Sequence, residues 1–272
     1  MNMNKVIGLV WKIVALATGI LFLGLILMGV IGAGVSFLRY KMHSVEGVAV
    51  EAGKNKPDLA GLKVIVQYEL PLSVNGLDHF IVPITLEKKK VGETRPFASS
   101  PRMSSYSDYS DSRYFSEMYG PFYNLVFIDK TTGVSKLLLE QKGFIQNVCF
   151  PEKSYSEKED KTPPTFIFYR MALVDTNGDG VLNEKDALPG YVSNADGTHL
   201  SQVTPANTSV TSWRYDPEGK KLFIEVIRDL NQDRKFNWDD PKTILAVNVL
   251  DPKLGDEIVP VDLKAKAEAI LK

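Results

Sequence analysis

The sequence predicts an all-β protein that has an N-terminal transmembrane helix, three four-stranded antiparallel repeats of the propeller-blade type, and a short C-terminal helix. Three observations predict this arrangement. The first is a long uncharged run near the N-terminus. The second is a series of short β-rich runs that falls into three sets of four. The third is an acidic loop that occurs twice, at the same position within its set.

Residues 1–43 predict a transmembrane signal-anchor. From Ile13 to Leu38 no side chain is charged. At about 1.5 Å per helical residue, this run is longer than a hydrocarbon core of roughly 30 Å. A cleaved signal peptide is the alternative, but its apolar region is usually only about 7–15 residues and no clear Ala-x-Ala site follows. We therefore expect a single-pass membrane protein.

The compartment of the C-terminal domain is inferred indirectly. Lys5 and Lys12 on one side of the apolar run nearly balance Arg39 and Lys41 on the other, so the flanking charges do not orient it. Cytosolic calcium is scarce, so weak calcium sites of the kind described below suit an extracytoplasmic location. The single Cys149 is compatible with an exported chain that relies on no disulfide. We expect the domain to be periplasmic or extracellular.

The charge balance argues against a nucleic-acid partner. The chain has 32 basic and 33 acidic side chains and a formal net charge of −1. The N-terminal segment holds basic but no acidic residues, so the remainder is mildly acidic and shows no basic stripe. The residues from 44 onward are enough for one sizeable core.

Twelve short runs rich in β-branched and aromatic residues predict the strands of a domain over 44–261. The predicted repeats span about 62–141, 143–204 and 210–261. Strands of the first are expected at 62–70, 79–88, 122–130 and 134–141, with an insertion at about 89–121. Strands of the second are expected at 143–150, 166–175, 189–194 and 199–204. Strands of the third are expected at 210–216, 221–229, 242–251 and 257–261. A fixed period of four antiparallel strands is typical of propeller blades.

One of these repeats carries a recognisable motif. Residues 190–204 read GYVSNADGTHLSQVT, and residues 124–138 give a weaker version. The longer match resembles the repeat of TolB-type, WD40-like β-propellers, in which an aromatic strand leads to Asp-Gly and a short strand ends in Leu-Thr or Val-Thr. The resemblance covers about 120–261 and implies a propeller-type fold and protein–protein contact. Known propellers have about four to eight blades. Three blades would form an open or collapsed assembly, or two chains would complete one ring.

The last element is a predicted helix over 262–272. Asp262 can cap its N-terminus, and Lys272 suits its C-terminus. Leu263, Ala267 and Ile270 form one face, which we expect to pack on the sheet.

Two loops, 175–186 and 229–240, carry the same series of oxygen-bearing side chains. Each places Asp, Asn, Asp, Asn and Asp at positions one, three, five, nine and twelve. With the backbone carbonyl of position seven, this is the ligand pattern that a hard cation such as Ca²⁺ requires. The predicted ligands of the first site are Asp175, Asn177, Asp179, Val181, Asn183 and Asp186. Those of the second site are Asp229, Asn231, Asp233, Lys235, Asn237 and Asp240.

The first loop is predicted to be the stronger of the two calcium sites. Gly180 stands at position six, where a positive φ favours glycine, and Leu182 is expected to point into the core. The loop resembles EF-hand and dockerin-type loops, except that Asp186 replaces the usual Glu at position twelve. The second loop has Arg234 at position six, which costs about 1 kcal/mol or more if φ is positive. Phe236 is its expected core anchor. The alternative is that both loops are ordinary Asp/Asn/Gly turns.

The sequence contains no motif of a known catalytic site, and no catalytic residue is predicted. Its three histidines are scattered, and no Gly-x-Ser-x-Gly, His-Glu-x-x-His, P-loop or dinucleotide motif occurs. We interpret the protein as a membrane-anchored, calcium-binding accessory or scaffold subunit that contacts a protein partner. The sequence leaves open whether the chain also forms a homo-oligomer. The alternatives are a cell-envelope hydrolase acting on glycans or peptides, and a calcium sensor.

Overall fold

The computed structural model describes residues 47–49, 62–90, 115–151, 164–237 and 239–271. The chain divides into two units, Met1–Glu46 and Gly47–Lys272, and all the described residues belong to the second.

The predicted membrane segment, 1–43, lies outside the described residues. Within them, no helix is long and apolar enough to cross a membrane. The prediction of a single-pass anchor is therefore wrong in this sense: none of the described helices can serve as one. The predicted location, a single-pass membrane protein with a periplasmic or extracellular domain, is corrected on the same finding.

The described residues are mostly β-strand. In chain order the strands are β1 (Val48–Ala49), β2 (Leu62–Tyr68), β3 (Leu72–Ser73), β4 (His79–Lys90), β5 (Phe115–Phe122), β6 (Asn124–Asp129), β7 (Ser135–Leu137), β8 (Phe144–Pro151), β9 (Phe166–Ala172), β10 (Val181–Leu182), β11 (Gly190–Asn194), β12 (Ser201–Gln202), β13 (Thr208–Asp216), β14 (Lys221–Arg228), β15 (Lys242–Asn248) and β16 (Asp256–Glu257). The described residues also include a helix, α1, which spans Val261–Leu271. Every predicted strand overlaps one of these strands. The sequence analysis does not predict β1, β3, β5 and β10.

The strands form three large antiparallel sheets. The first has the order β2-β4-β6-β7, with β3 paired to β4. The second has the order β12-β11-β9-β8-β5, and the third has the order β13-β14-β15-β16. A small fourth sheet pairs β1 with β10. The members of each predicted set of four are therefore neighbours in one sheet, and β5 is added to the second sheet from within the insertion.

The second sheet lies between the other two and is packed on both faces. Tyr169 of β9 belongs to one buried cluster, which it shares with Phe127 of the first sheet. Phe168, the preceding residue, belongs to another buried cluster, which it shares with Ile224 of the third sheet. Successive side chains of a strand point to opposite faces, so β9 contributes to both cores.

The prediction of propeller-blade repeats is wrong. In a propeller each blade packs against two neighbours around a central axis. Among the described residues, one large core joins the first and second sheets, the other joins the second and third, and neither joins the first to the third. The third sheet buries only one face, because Leu245 and Val247 are each 1% exposed whereas Ile244, the residue before Leu245, is 38% exposed. The sheets form an open stack of three layers.

The C-terminal helix forms as predicted, but its apolar face is not packed. None of the side chains of α1 is buried, and Leu263 and Ile270 are 53% and 74% exposed. The helix contacts the third sheet through a polar residue, because Lys264 Nζ lies against Glu257 and donates to Thr243 Oγ1 at 3.1 Å. The expectation that Leu263, Ala267 and Ile270 pack on the sheet is therefore wrong.

Candidate metal loops and the cleft between them

The first acidic loop connects β9 to β11 and is closed by its first carboxylate. Asp175 Oδ1 accepts a hydrogen bond from the Gly178 amide at 2.7 Å, and its Oδ2 accepts one from the Gly180 amide at 2.8 Å. Gly178 and Gly180 have φ values of 74° and 82°, in the left-handed region that glycine adopts without strain. The chain therefore wraps around Asp175 over the first six positions of the loop.

The other side chains of this loop repeat one local contact. A side-chain oxygen at position three, five or nine accepts a hydrogen bond from the backbone amide two residues later, which is the geometry of an Asx turn. The pairs are Asn177 with Asp179 at 2.8 Å, Asp179 with Val181 at 2.9 Å, and Asn183 with Lys185 at 2.8 Å. Each of these side-chain oxygens is thereby fixed against the backbone of the loop.

Asp186 joins the two ends of the loop. Its Oδ1 accepts from the Thr176 amide at 2.8 Å, and its Oδ2 accepts from the Asn183 amide at 2.9 Å. Burial raises the pKa of this carboxyl, the nearby Asp175 charge raises it further, and the backbone hydrogen bonds oppose the shift. Leu182 is 1% exposed within a buried cluster, so the predicted core anchor is confirmed.

The second acidic loop, between β14 and β15, repeats most of these contacts. Asp229 accepts hydrogen bonds from the amides of Asp233 and Arg234, at 3.1 and 2.9 Å. The amides two residues after positions three, five and nine are again bound, in the pairs Asn231 with Asp233, Asp233 with Lys235, and Asn237 with Asp239. The carboxylate at position twelve accepts from the amide at position nine, as Asp240 does from Asn237 at 3.0 Å. The two loops therefore share most of their hydrogen bonds, although the carboxylate at position one accepts from the amide of position four in the first loop and of position five in the second.

The backbone of the second loop is the more strained. Gln232 and Arg234, at positions four and six, have φ values of 60° and 62°, where the first loop has glycine. The condition stated for Arg234, a positive φ at position six, is therefore met. Phe236 differs from Leu182, because it is half-buried and lines a cleft. The expectation that Phe236 is a core anchor is therefore wrong.

The two loops lie side by side. Arg234 Nη1 of the second loop is 3.5 Å from the carbonyl oxygen of Asn177 in the first. A cleft of about 380 Å³ opens between the loops, and its lining includes Asp186 from the first, Asn237 from the second and Arg170 from β9. Burial lowers the pKa of the Arg170 guanidinium, and the nearby Cys149 opposes that shift.

The carboxylates of the loops do not converge as a metal cluster. Over the described ranges, no three or more His, Cys, Asp and Glu side chains are grouped so that they could hold a metal ion. The prediction that the chain presents a formed metal-binding group of this kind is therefore wrong. The physical reason is visible in the hydrogen bonds, because both oxygens of Asp175 and both oxygens of Asp186 are directed to backbone amides. The structure nevertheless assembles the predicted ligands into two matching loops.

The cationic side chains that line the cleft were not among the site residues predicted from the sequence. Arg170 and Lys242 line the cleft from β9 and β15. One signal was available, since Arg170 is the single charged residue in the otherwise apolar and aromatic strand FIFYRMA. A charge in the middle of a strand that is buried on both faces needs a partner.

Comparison with known proteins does not place the chain in a family. No model of a protein family matches the sequence, and no curated protein matches it. The class that the fold and loops define is a three-layered β-sheet protein with two similar acidic loops beside a cleft.

Proposed function

We propose that this is a calcium-binding β-sheet protein that acts as an accessory or scaffold subunit and contacts another protein. Its two acidic loops would take up one Ca²⁺ each, chiefly to hold the structure together. The observation that carries the proposal is the similarity of loops 175–186 and 229–240, which differ in sequence yet share most of their side-chain to backbone contacts and a positive φ at positions four and six.

Backbone strain favours this proposal over ordinary turns. A left-handed conformation costs a residue other than glycine about 1–2 kcal/mol. The second loop accepts this cost at Gln232 and again at Arg234. A surface turn under no further constraint can relax such strain, whereas strained backbone is typical of ligand-binding sites.

The hydrogen bonds of the loop carboxylates leave room for a cation. An ionised carboxylate has about four lone-pair sites, so an oxygen that accepts one amide hydrogen bond can still bind a metal ion. In the first loop, Asp175 and Asp186 are close enough to repel each other, since the Asp175 charge raises the pKa of Asp186. A divalent cation would remove this repulsion. We propose that small rotations of the carboxylates complete the site when Ca²⁺ binds.

A structural role for the ion follows from where the loops lie. The first connects two strands of the central sheet, and the second connects two strands of the third sheet. Both connections are long and rich in like charge, so neutralisation would make them rigid. The role as a protein-binding subunit rests on the resemblance of residues 190–204 to the repeat of TolB-type proteins, and it is an analogy.

The calcium proposal is tested by following the melting temperature of the full-length chain during a Ca²⁺ titration. We expect the temperature to rise, because a ligand at 100 times its Kd stabilises the folded state by about 2.7 kcal/mol. Asp175→Ala and Asp229→Ala should each remove part of the rise. Asp251→Ala, in an exposed turn outside both loops, is the matched control and should leave it unchanged. An equal rise in all four proteins, or none in the wild type, would show that the loops are only turns.

The scaffold role needs its own test. The experiment compares the wild-type chain with a variant that carries both Asp175→Ala and Asp229→Ala. Each is cross-linked to neighbouring proteins in the source cells, and the cross-linked proteins are identified. A defined partner protein that is recovered at constant ratio with the wild type supports the role. Conversion of a glycan or peptide substrate by the purified chain would support the hydrolase instead.

A further inference from the structure

The cleft between the two acidic loops is positively charged, although both loops are acidic. Its lining holds Arg170, Lys185 and Lys235 against Glu184 and Asp186, while a fourth cation, Lys242, is paired with Glu225 at 3.0 Å. The whole chain, by contrast, has a formal net charge of −1. A local excess of positive charge in a concave site attracts anions.

Arg170 is the cation that lies deepest in this arrangement. It is on β9 of the central sheet, and its Nε atom is buried without a hydrogen-bond partner. Among the described residues, none of the ion pairs involves its guanidinium. Buried charges in proteins are normally paired, because removal of a charge from water is costly. This guanidinium therefore lacks the partner that its position requires.

A second unsatisfied polar group lies directly beside it. Asn147 of β8 is the cross-strand neighbour of Arg170, is only 2% exposed, and has a buried Oδ1 atom without a partner. Side chains that face each other across two antiparallel strands have Cβ atoms about 4.5–5.5 Å apart on the same face of the sheet. Asn147 Oδ1 is an acceptor and does not itself bind an oxyanion, but with Arg170 Nε it leaves two polar atoms on this face of the sheet without a partner.

We propose that this cleft binds a small ligand that carries an oxyanion, either a carboxylate or a phosphate, on the guanidinium of Arg170. The planar guanidinium offers parallel N–H donors that match two oxygens of either group. Exposed Lys185 and Lys235 at the rim add long-range attraction, while Ile227 and Phe236 offer apolar contact. The volume of about 380 Å³ suits a small molecule, whose sites usually measure about 300–1,000 Å³.

This proposal is independent of calcium. Ca²⁺ in the first loop would neutralise Asp186 and make the cleft more positive, but the unpaired guanidinium is present in any case. The binding test is therefore run with a chelator present, so that its result does not depend on whether the loops bind metal.

The test titrates the full-length chain by calorimetry with inorganic phosphate and, separately, with succinate, in chloride buffer of constant ionic strength. We expect saturable binding of at least one of them, and which one binds identifies the oxyanion. Arg170→Met should weaken that binding about tenfold or more, as loss of a charged hydrogen-bond donor does. Arg228→Met is the matched control, because Arg228 also has a buried, unpartnered Nε but does not line the cleft. Its affinity should stay within about twofold of the wild type.

Two further measurements separate binding from folding. Arg170→Met removes an unpaired cation, so its melting temperature without ligand should equal or exceed that of the wild type. Lys235→Gln changes an exposed side chain and should weaken binding about threefold without affecting the fold. The proposal is overturned if neither probe binds saturably, or if Arg170→Met binds as the wild type does, which would indicate an adventitious ion only. A lower melting temperature of Arg170→Met without ligand would also overturn it.

Discussion

Arg234 Nη1 lies 3.5 Å from the carbonyl oxygen of Asn177, so the side chain at position six of the second loop reaches position three of the first. The distance is at the long end for a hydrogen bond, and the contact is correspondingly weak. Its importance is geometric, because it shows that two loops far apart in sequence lie together. It also places a positive charge between two groups of carboxylates.

Replacement of Arg234 should reveal both its strain and its charge. Arg234→Gly relieves a left-handed strain of about 1–2 kcal/mol, against about 0.5–1 kcal/mol of added chain entropy in the unfolded state. Removal of the charge should strengthen Ca²⁺ binding to the second loop several-fold. Arg234→Asn should behave similarly, since Asn tolerates a positive φ, whereas the β-branched Arg234→Val should destabilise the loop. Calorimetry of the three variants checks the order, and equal affinities in all of them would contradict it.

Leu182 should couple the first loop to the core. Leu182→Ala removes a side chain that is 1% exposed, and such truncations cost about 2–5 kcal/mol of unfolding free energy. Calcium affinity should fall as well, because the loop loses its anchor. Val174→Ala is the control, since Val174 precedes the loop and is 66% exposed. Urea unfolding measures both variants, and a loss below about 0.5 kcal/mol for Leu182→Ala would place it among surface substitutions.

Gly197 tests the packing of the first sheet against the second. Its φ is 83°, and an added Cβ would lie 2.7 Å from the ring of Phe127 on β6. Gly197→Ala therefore combines backbone strain with overpacking, which typically costs about 1–3 kcal/mol. Gly133→Ala is the matched control, because Gly133 has a φ of 71° and no atom within 4 Å of an added Cβ. If the two variants lose the same stability in urea, the contact between Gly197 and Phe127 is absent.

Asp196 should contribute stability that depends on pH. Burial alone would raise the pKa of this carboxyl, but hydrogen bonds from Thr198 and the charge of Lys136 outweigh it and lower the pKa to about 2. A lowered folded-state pKa stabilises the fold above the unfolded-state pKa of about 3.9, and the contribution is lost as pH falls towards about 2. Asp196→Asn should flatten the dependence of unfolding free energy on pH within this window. An unchanged slope between pH 4 and 2 would contradict the assignment.

The local structure was largely predictable from the sequence, and the packing of the sheets was not. Alternating apolar residues and turn signals located the twelve strands and grouped them correctly into sheets. The run FIFYRMA in β9 is buried on both faces, which is typical of a strand between two layers. A repeat of four strands does not tell whether the sheets are arranged as an open stack or as a ring. In both arrangements each sheet packs against a neighbouring sheet, so the pattern of apolar residues is the same. The strand β5 was missed because it lies within an insertion of polar composition.

The candidate site was predictable to a similar extent. The spacing of Asp and Asn predicted two loops of one kind, and it drew attention to position six, where Arg234 has a positive φ. It did not place Phe236, whose surroundings depend on how the third sheet meets the second loop. It also gave no indication that Arg170 would lie between the loops, because that contact joins residues from three distant segments.

The number of Ca²⁺ ions bound per chain tests the central claim most directly. Calorimetric titration of the full-length chain with Ca²⁺ should give two ions per chain, and one ion after Asp175→Ala or Asp229→Ala. Mg²⁺ should bind more weakly, because it requires near-ideal octahedral geometry and loses its water reluctantly. A titration that releases no heat and leaves the melting temperature unchanged would contradict the account, and the two loops would then be turns that share a conformation without a metal.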